Sequence, residues 1–366
     1  MVLVSSTGSG SFAIAVHGGD AIPIRLPGFQ PDEVARRLTG YLDALTEADD
    51  ASSLLAKTGS DPFTRHAARK RVVAARNDLD ETVASLLTWL WDSAAEPILA
   101  ELGIHDTPGP GERVPRLWWC PTGPLVLLPF HAAGRHNEPN RSVLDRVISS
   151  YTPTLRVLAQ NLEEEPLAHA DRLLIVAMEN TPGEADLPWA GREAAFLTGR
   201  LGAQAVRCLR DDEALRAVVI RELHEYDAVH FCCHSVLNLE DPALGGLVIH
   251  DGRLTIADLI RERLGGEFAF LGSCKSATVG PVVLDEVISL ASALNHVGFR
   301  QVIATLWSVP DDVAARVAEL VYSPSFDSPG LGLRGMAAAL RDATRVLRAE
   351  YPDEPRNWTP FLHMGC

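Results

Sequence analysis

Two stretches decide the fold: "DAVHFCCHS", Asp227–Ser235, and "FAFLGSCKSA", Phe268–Ala277. Each opens as a short apolar run of strand length. Each stops at a side chain that can do chemistry, His234 in the first and Cys274 in the second. Between them, "GGLVIHDGRLT" predicts a hairpin turning at Asp251-Gly252 and "TIADLIRERLGG" predicts a helix. The alternation continues outward. "RLLIVAM", "AVRCL" and "RQVIATLW" read as strands; "PWAGREAAFLTGRLG", "EVISLASALNHVGF" and "DDVAARVAELVY" read as helices. "DDEALRAVVIREL" reads as a further helix, capped by Asp211 or Asp212. Strands separated by helices predict a mostly parallel sheet with helices on both faces. In such sheets ligands meet the carboxyl ends of the strands.

His234 and Cys274 are therefore expected at one rim. A neutral imidazole beside a thiol can take its proton and leave the nucleophilic thiolate. Lys275, next to Cys274, also favours the thiolate. Other readings stand beside this one. Either residue can be a core filler. Cys232 and Cys233 face opposite sides of their strand, so one of them at most shares the surroundings of His234. By ligand type, His230, Cys232, His234 and Cys274 could also hold a metal, although they lack a compact ligand spacing.

The totals exclude some classes. The 366 residues predict about two domains or one large α/β unit. A net charge of −15 argues against nucleic acid as a partner. The one basic run, "TRHAARKRVVAARN" (Thr64–Asn77), has helical spacing and reads as a solvated helix face. No apolar run is long enough to cross a bilayer, so no membrane partner is expected. No signal peptide is visible. The six cysteines include no C-x-x-C pair, which fits free thiols in a reducing cytoplasm. No cofactor is expected.

The first half reads as strands "FAIAVHG" and "AIPIRL", a helix opening at Pro31, and a long helical region from about Arg65 to Leu102. "RLWWC" and "PLVLLPF" read as strands. A soft boundary is expected near residue 165. Residues 1–165 then form a non-catalytic supporting region, which the resemblance described next would make pseudo-caspase-like, and residues 166–366 carry the chemistry.

Taken in order, "VHFCCHS", "DPALGGLVIHDGRLTIADL", "FAFLGSCKSATVG" and "DEVISLASALNHVGFRQVIATLWSVPDD" resemble the CHAT domain. That domain is a caspase-like cysteine peptidase module distantly similar to separase. "RLWWCPTGPLVLLPFHAAG", "LPWAGREAAFL" and "NWTPFLHMGC" extend the resemblance over about residues 80–366. It implies a caspase-like three-layer sandwich and a Cys–His dyad, with His234 as general base or acid and Cys274 as nucleophile. The oxyanion hole would come from the backbone N–H groups of Cys274 and Ser235. Asp311 or Asp312, after the "LW" strand, would hold a basic P1 side chain, with Trp307 walling the cleft. Without the resemblance, Asp311 reads as the cap of the helix it opens, Trp307 as core, and Asp285-Glu286 as a helix start.

Two departures are visible. The family usually has glycine where Ser235 follows the histidine. It often has Ser-Ala-Cys-Glu-Thr where this chain has Gly-Ser-Cys-Lys-Ser. The expected function is an endopeptidase acting on a protein substrate after a basic residue, under the control of a regulatory repeat, sensor domain or activating partner. The alternative is a catalytically inactive caspase-like interaction module.

Overall fold

The structure is a computed structural model. It describes residues 1–8, 10–59, 61–163, 167–236, 241–272, 289–327 and 331–366. Cys274, Lys275 and the Asp285-Glu286 pair lie outside the described residues. The chain divides into two compact units. The first holds Met1–Ser149 and Arg348–Thr359; the second begins at Ser150 and includes Pro360–Cys366.

In the first unit, β1 (Val2–Thr7), β2 (Gly10–His17) and β3 (Asp20–Arg25) form an antiparallel meander. Ser5, Ser6 and Thr7 mask β1 in the sequence, and in it only Val2 and Val4 are buried to 0 % exposure. Two long helices follow, α1 (Pro31–Lys57) and α2 (Pro62–Leu90). Asp61 caps α2 by accepting from the Thr64 N–H, and proline occupies the first turn of each. The predicted long helix is present but interrupted. After Leu90 comes a π-helical turn, Trp91–Ala95, and then α3 (Glu96–Glu101). Pro97 lacks the N–H that a regular helix would direct to Ser93, so the ladder must rearrange there. β4 (Arg116–Pro121) pairs in parallel with β1.

The predicted strand "PLVLLPF" is instead a 3₁₀ helix, Gly123–Leu127. Pro124 and Pro129 frame the apolar residues, and proline cannot donate to a ladder. A short α4 (Val143–Arg146) leads out of the unit.

In the second unit the core elements follow the predicted alternation. β5 (Ile148–Tyr151), α5 (Leu155–Glu163) and a two-residue β6 (His169–Ala170) lead to β7 (Leu173–Ala177). Then come α6 (Ala190–Leu201), β8 (Val206–Arg210), α7 (Arg216–Leu223) and β9 (Ala228–Cys232). β10 (Ser235–Val236), β11 (Gly246–Ile249) and β12 (Gly252–Thr255) make a small separate sheet, with the expected turn between β11 and β12. α8 (Ile256–Arg261) precedes β13 (Phe268–Leu271). α9 (Ser289–His296), β14 (Gln301–Thr305), α10 (Asp311–Tyr322), β15 (Leu331–Gly332), α11 (Met336–Glu350) and β16 (Phe361–Gly365) complete the chain.

The main sheet of this unit runs β5-β16-β14-β13-β9-β7-β8 among the described residues. Its neighbours are parallel except β14 and β16. Strands β7, β9, β13 and β14 are buried along their whole length. This is the mixed α/β architecture with a mostly parallel, helix-flanked sheet that the alternation predicted.

Two positions demand glycine, one in a turn and one at the end of β16. Gly298 (φ 130) precedes β14, and a Cβ there would stand 1.8 Å from the Leu264 carbonyl oxygen. Gly365 (φ 98) would place one 1.9 Å from the carbonyl oxygen of Arg300. The cap expected for α7 is not Asp211 or Asp212. Both lie in a preceding 3₁₀ turn, Asp211–Glu213, and Leu215 occupies the N-cap position. Asp251 instead accepts the Arg216 N–H, at 2.9 Å.

Candidate functional site

The carboxyl ends of β9 and β13 are adjacent and level. Leu271 pairs with Phe231, and the Gly272 N–H donates to the Phe231 carbonyl at 3.2 Å. Beyond Cys232 the chain leaves the main sheet, and after two residues it enters β10 of the small sheet. His234 is the second residue of that joint. Its carbonyl accepts from the Val248 N–H at 2.8 Å. The residue is 5 % exposed. The ring Nε2 lies 2.7 Å from the Ala185 carbonyl oxygen, in the loop before α6. A carbonyl only accepts, so Nε2 carries a proton, and the tautomer this contact selects has its lone pair on Nδ1. That is the protonation a general base needs.

Ser235 occupies no strained backbone. Among the described non-glycine residues, only Asn140 and Asp211 have positive φ. The position after the histidine therefore does not require glycine in this chain.

Asp311 opens α10, but its side chain makes no cap there. Its Oδ2 accepts the backbone N–H of Trp189, the residue at the start of α6, at 2.8 Å. The expected cap is thus replaced by a bond to a different helix. Burial, together with Glu193 and Asp312, raises the Asp311 carboxyl from 3.8 to about 6, against the opposing effect of the Trp189 hydrogen bond. Asp312 is exposed. Trp307 is 2 % exposed and belongs to the core.

Beneath the rim lies a buried polar group that the sequence reading did not assemble. Glu193 of α6 is 4 % exposed, His230 of β9 0 %, Cys232 of β9 2 % and Tyr322 of α10 0 %. His230 Nε2 is 2.8 Å from Glu193 Oε2, and His230 Nδ1 is 3.1 Å from the Tyr322 hydroxyl. The Cys232 thiol donates to the same Glu193 oxygen at 3.6 Å. Burial first, and Glu193 second, push the Cys232 thiol far above its ordinary value. This neighbour of the site stays protonated and unreactive. Cys120 and Cys208 are raised by burial as well. One signal could have found Glu193. It stands among Ala190, Ala194 and Leu197 on the buried face of α6, where a carboxylate is out of place.

Among the described residues, Glu193, His230 and Cys232 bring their donor atoms within 4.8 Å of one another. The 2.8 Å contact between carboxylate and imidazole is a hydrogen-bond length. Two tetrahedral ligands of one zinc ion, each at about 2.0–2.1 Å, stand about 3.3 Å apart. Hydrogen bonding accounts for the cluster without an ion. Of the metal set weighed from the sequence, His234 Nε2 is committed to Ala185, and Cys274 lies outside the described residues. Cavities of about 580 Å³ beside α11 and about 700 Å³ in the first unit are lined by neither His234 nor Asp311. Among the described residues, no helix is long and apolar enough to cross a membrane.

Comparison with known proteins agrees with this architecture. The separase–securin complex of Saccharomyces cerevisiae matches with a TM-score of 0.69 at 11 % identity, covering 100 % of this chain and 30 % of that one. This chain therefore spans less than a third of the separase chain it resembles. A structure of Porphyromonas gingivalis RgpB pro- and mature domains gives 0.49 at 9 % identity, covering 78 % and 76 % of the two chains. The Arg-specific cysteine proteinase gingipain R gives 0.47 at 11 %, covering 77 % and 73 %. No curated protein matches. The CHAT domain family matches residues 84–366, and on that match the chain belongs to the CHAT family.

Proposed function

We propose that the chain is a cysteine endopeptidase that cleaves a protein substrate after a basic residue. The observation that carries the reading is the His234 imidazole. Its Nε2–H is held by the Ala185 carbonyl, its lone pair is on Nδ1, and it lies at the end of the strand beside the one that leads to Cys274. In this reading Nδ1 takes the Cys274 thiol proton, and the thiolate attacks the scissile carbonyl carbon. The oxyanion is met by the backbone N–H groups of Ser235 and Cys274. His234 then returns the proton to the leaving amine as the C–N bond breaks. Water, deprotonated by His234, hydrolyses the thioester and frees the enzyme.

Asp311 is the acid assigned to a basic P1 side chain, with Asp312 beside it and Trp307 behind the cleft. The bond to the Trp189 N–H gives Asp311 a fixed place from which to do this. The separase neighbour is recorded in complex with securin. By analogy, a protein partner or attached regulatory segment is assigned control of this site. A reducing compartment such as the cytoplasm suits a catalytic thiol. The inactive-module alternative drew on Ser235 and Lys275, and the unstrained backbone at Ser235 weakens the first ground.

The test is a paired digestion of a proteome-derived peptide library by wild type and Cys274→Ala, with new termini read by mass spectrometry. Cleavage by wild type alone, after lysine or arginine, is expected. Equal cleavage by the variant refutes the mechanism, and wild-type cleavage after other residues refutes the assignment of Asp311.

A further inference from the structure

The stretch Ala185–Glu193 meets two parts of the rim and the buried group beneath it. The Ala185 carbonyl accepts from His234, and the Trp189 N–H donates to Asp311. Glu193 Oε2 takes the hydrogen bonds of His230 and Cys232, and stands 3.5 Å from where a Cβ on Gly272 would lie. One loop and the first turn of one helix thus touch the base, the acid assigned to P1 and the floor beneath β9 and β13.

Burying a carboxylate is costly, and a leucine or methionine would fill the same face of α6 without that cost. The protons around Glu193 have defined places. The Tyr322 phenol is held protonated, far above its ordinary value, by burial. Its hydroxyl proton can be given to His230 Nδ1, which leaves the Nε2–H to donate to Glu193. Three elements, α6, β9 and α10, are pinned through one imidazole.

We propose that Glu193 is a positioning residue for His234. By accepting from His230 and Cys232 at one oxygen, it fixes the end of β9. The two-residue joint is thereby held where the Ala185 carbonyl can grip the ring. The proposal rests on the cysteine-peptidase reading. Glu193 acts through hydrogen bonding and not through its charge, and the two modes predict opposite orders among its variants. A glutamine keeps a carbonyl oxygen at the same reach. An aspartate keeps the charge but falls one methylene short.

The experiment labels the full chain with iodoacetamide from pH 5 to 9. Modification at Cys274 is followed by mass spectrometry, and the thermal midpoint is recorded beside it. His234→Ala is expected to slow labelling at neutral pH about tenfold or more. Glu193→Gln stays within about threefold of wild type, whereas Glu193→Asp and Glu193→Ala fall toward His234→Ala with the same displacement of the pH profile. If Glu193→Ala does not fold, the Gln and Asp pair decides alone. Wild-type labelling in Glu193→Asp overturns the proposal while leaving the peptidase reading intact. Labelling that ignores His234→Ala overturns the peptidase reading, and this proposal with it.

Discussion

Replacing Asp311 by Asn tests the electrostatics of the rim most directly. The side-chain carbonyl of Asn keeps an acceptor for the Trp189 N–H and removes only the ionisable proton. Asp311 is raised from 3.8 to about 6 in the folded chain, chiefly by burial. A carboxyl raised on folding leaves stability intact below pH 4 and subtracts from it as pH climbs through 6. The rise corresponds to a ceiling of about 3 kcal/mol. Asp311 is only half-buried, and solvent screening reduces this to about 1 kcal/mol. Asp311→Asn should therefore match wild type at pH 4 and exceed it by about 1 kcal/mol at pH 8, or about 2 °C in midpoint. Urea unfolding at the two pH values measures the difference. An equal effect at both, or a loss at pH 8, refutes the assigned burial cost. If Asp311 also holds a basic P1 side chain, the wild-type kcat/KM on such a substrate should drop about tenfold between pH 7 and 5 as the carboxylate is protonated.

Other expectations follow from the geometry. His131 and His136 in the first unit are each lowered to about 4 by burial, with Arg348 adding to the effect at His136. Their contribution to stability is complete above pH 6.5 and is lost as pH falls toward 4; a urea midpoint that stays flat over that range contradicts it. Gly298→Ala should cost about 3 kcal/mol or more, because both its φ and the Leu264 carbonyl reject a Cβ. A soluble variant with a wild-type melting curve would rule this out. Ser235→Gly should leave Cys274 reactivity within about threefold and lower stability by about 0.5–1 kcal/mol, since Ser235 needs no left-handed backbone. A large gain in reactivity in that variant would mean the serine impairs the site.

Much of the main sheet was legible because β7, β9, β13 and β14 are buried on both faces and so read as unbroken apolar runs. The Asp251-Gly252 turn was legible from two residues. The failures share a cause, competition between local signals. "PLVLLPF" has the composition of a strand, but its prolines decide otherwise. Asp211 has the chemistry of a cap, but its positive φ and its bond to the Asn180 N–H place it outside α7. At the site, the sequence marked His234 but not what holds it. Ala185 contributes a carbonyl, and a carbonyl is the same in every residue. Asp311 was marked for a cap or a pocket, and its actual partner, Trp189, lies 122 positions away. Distance along the chain hides such pairs from any reading of local pattern.

The carbonyl that holds His234 has a consequence for mutational scanning. An orienting partner made of backbone cannot be deleted by changing a side chain, so position 185 should tolerate most replacements that leave the local chain path alone. A scan of single substitutions would record it as silent and would score its neighbours only when they bend the loop. The orientation of the base is therefore robust to point mutation and exposed to insertions and deletions. Length changes between Met178 and Ala190, rather than residue swaps, are where variation should inactivate this site.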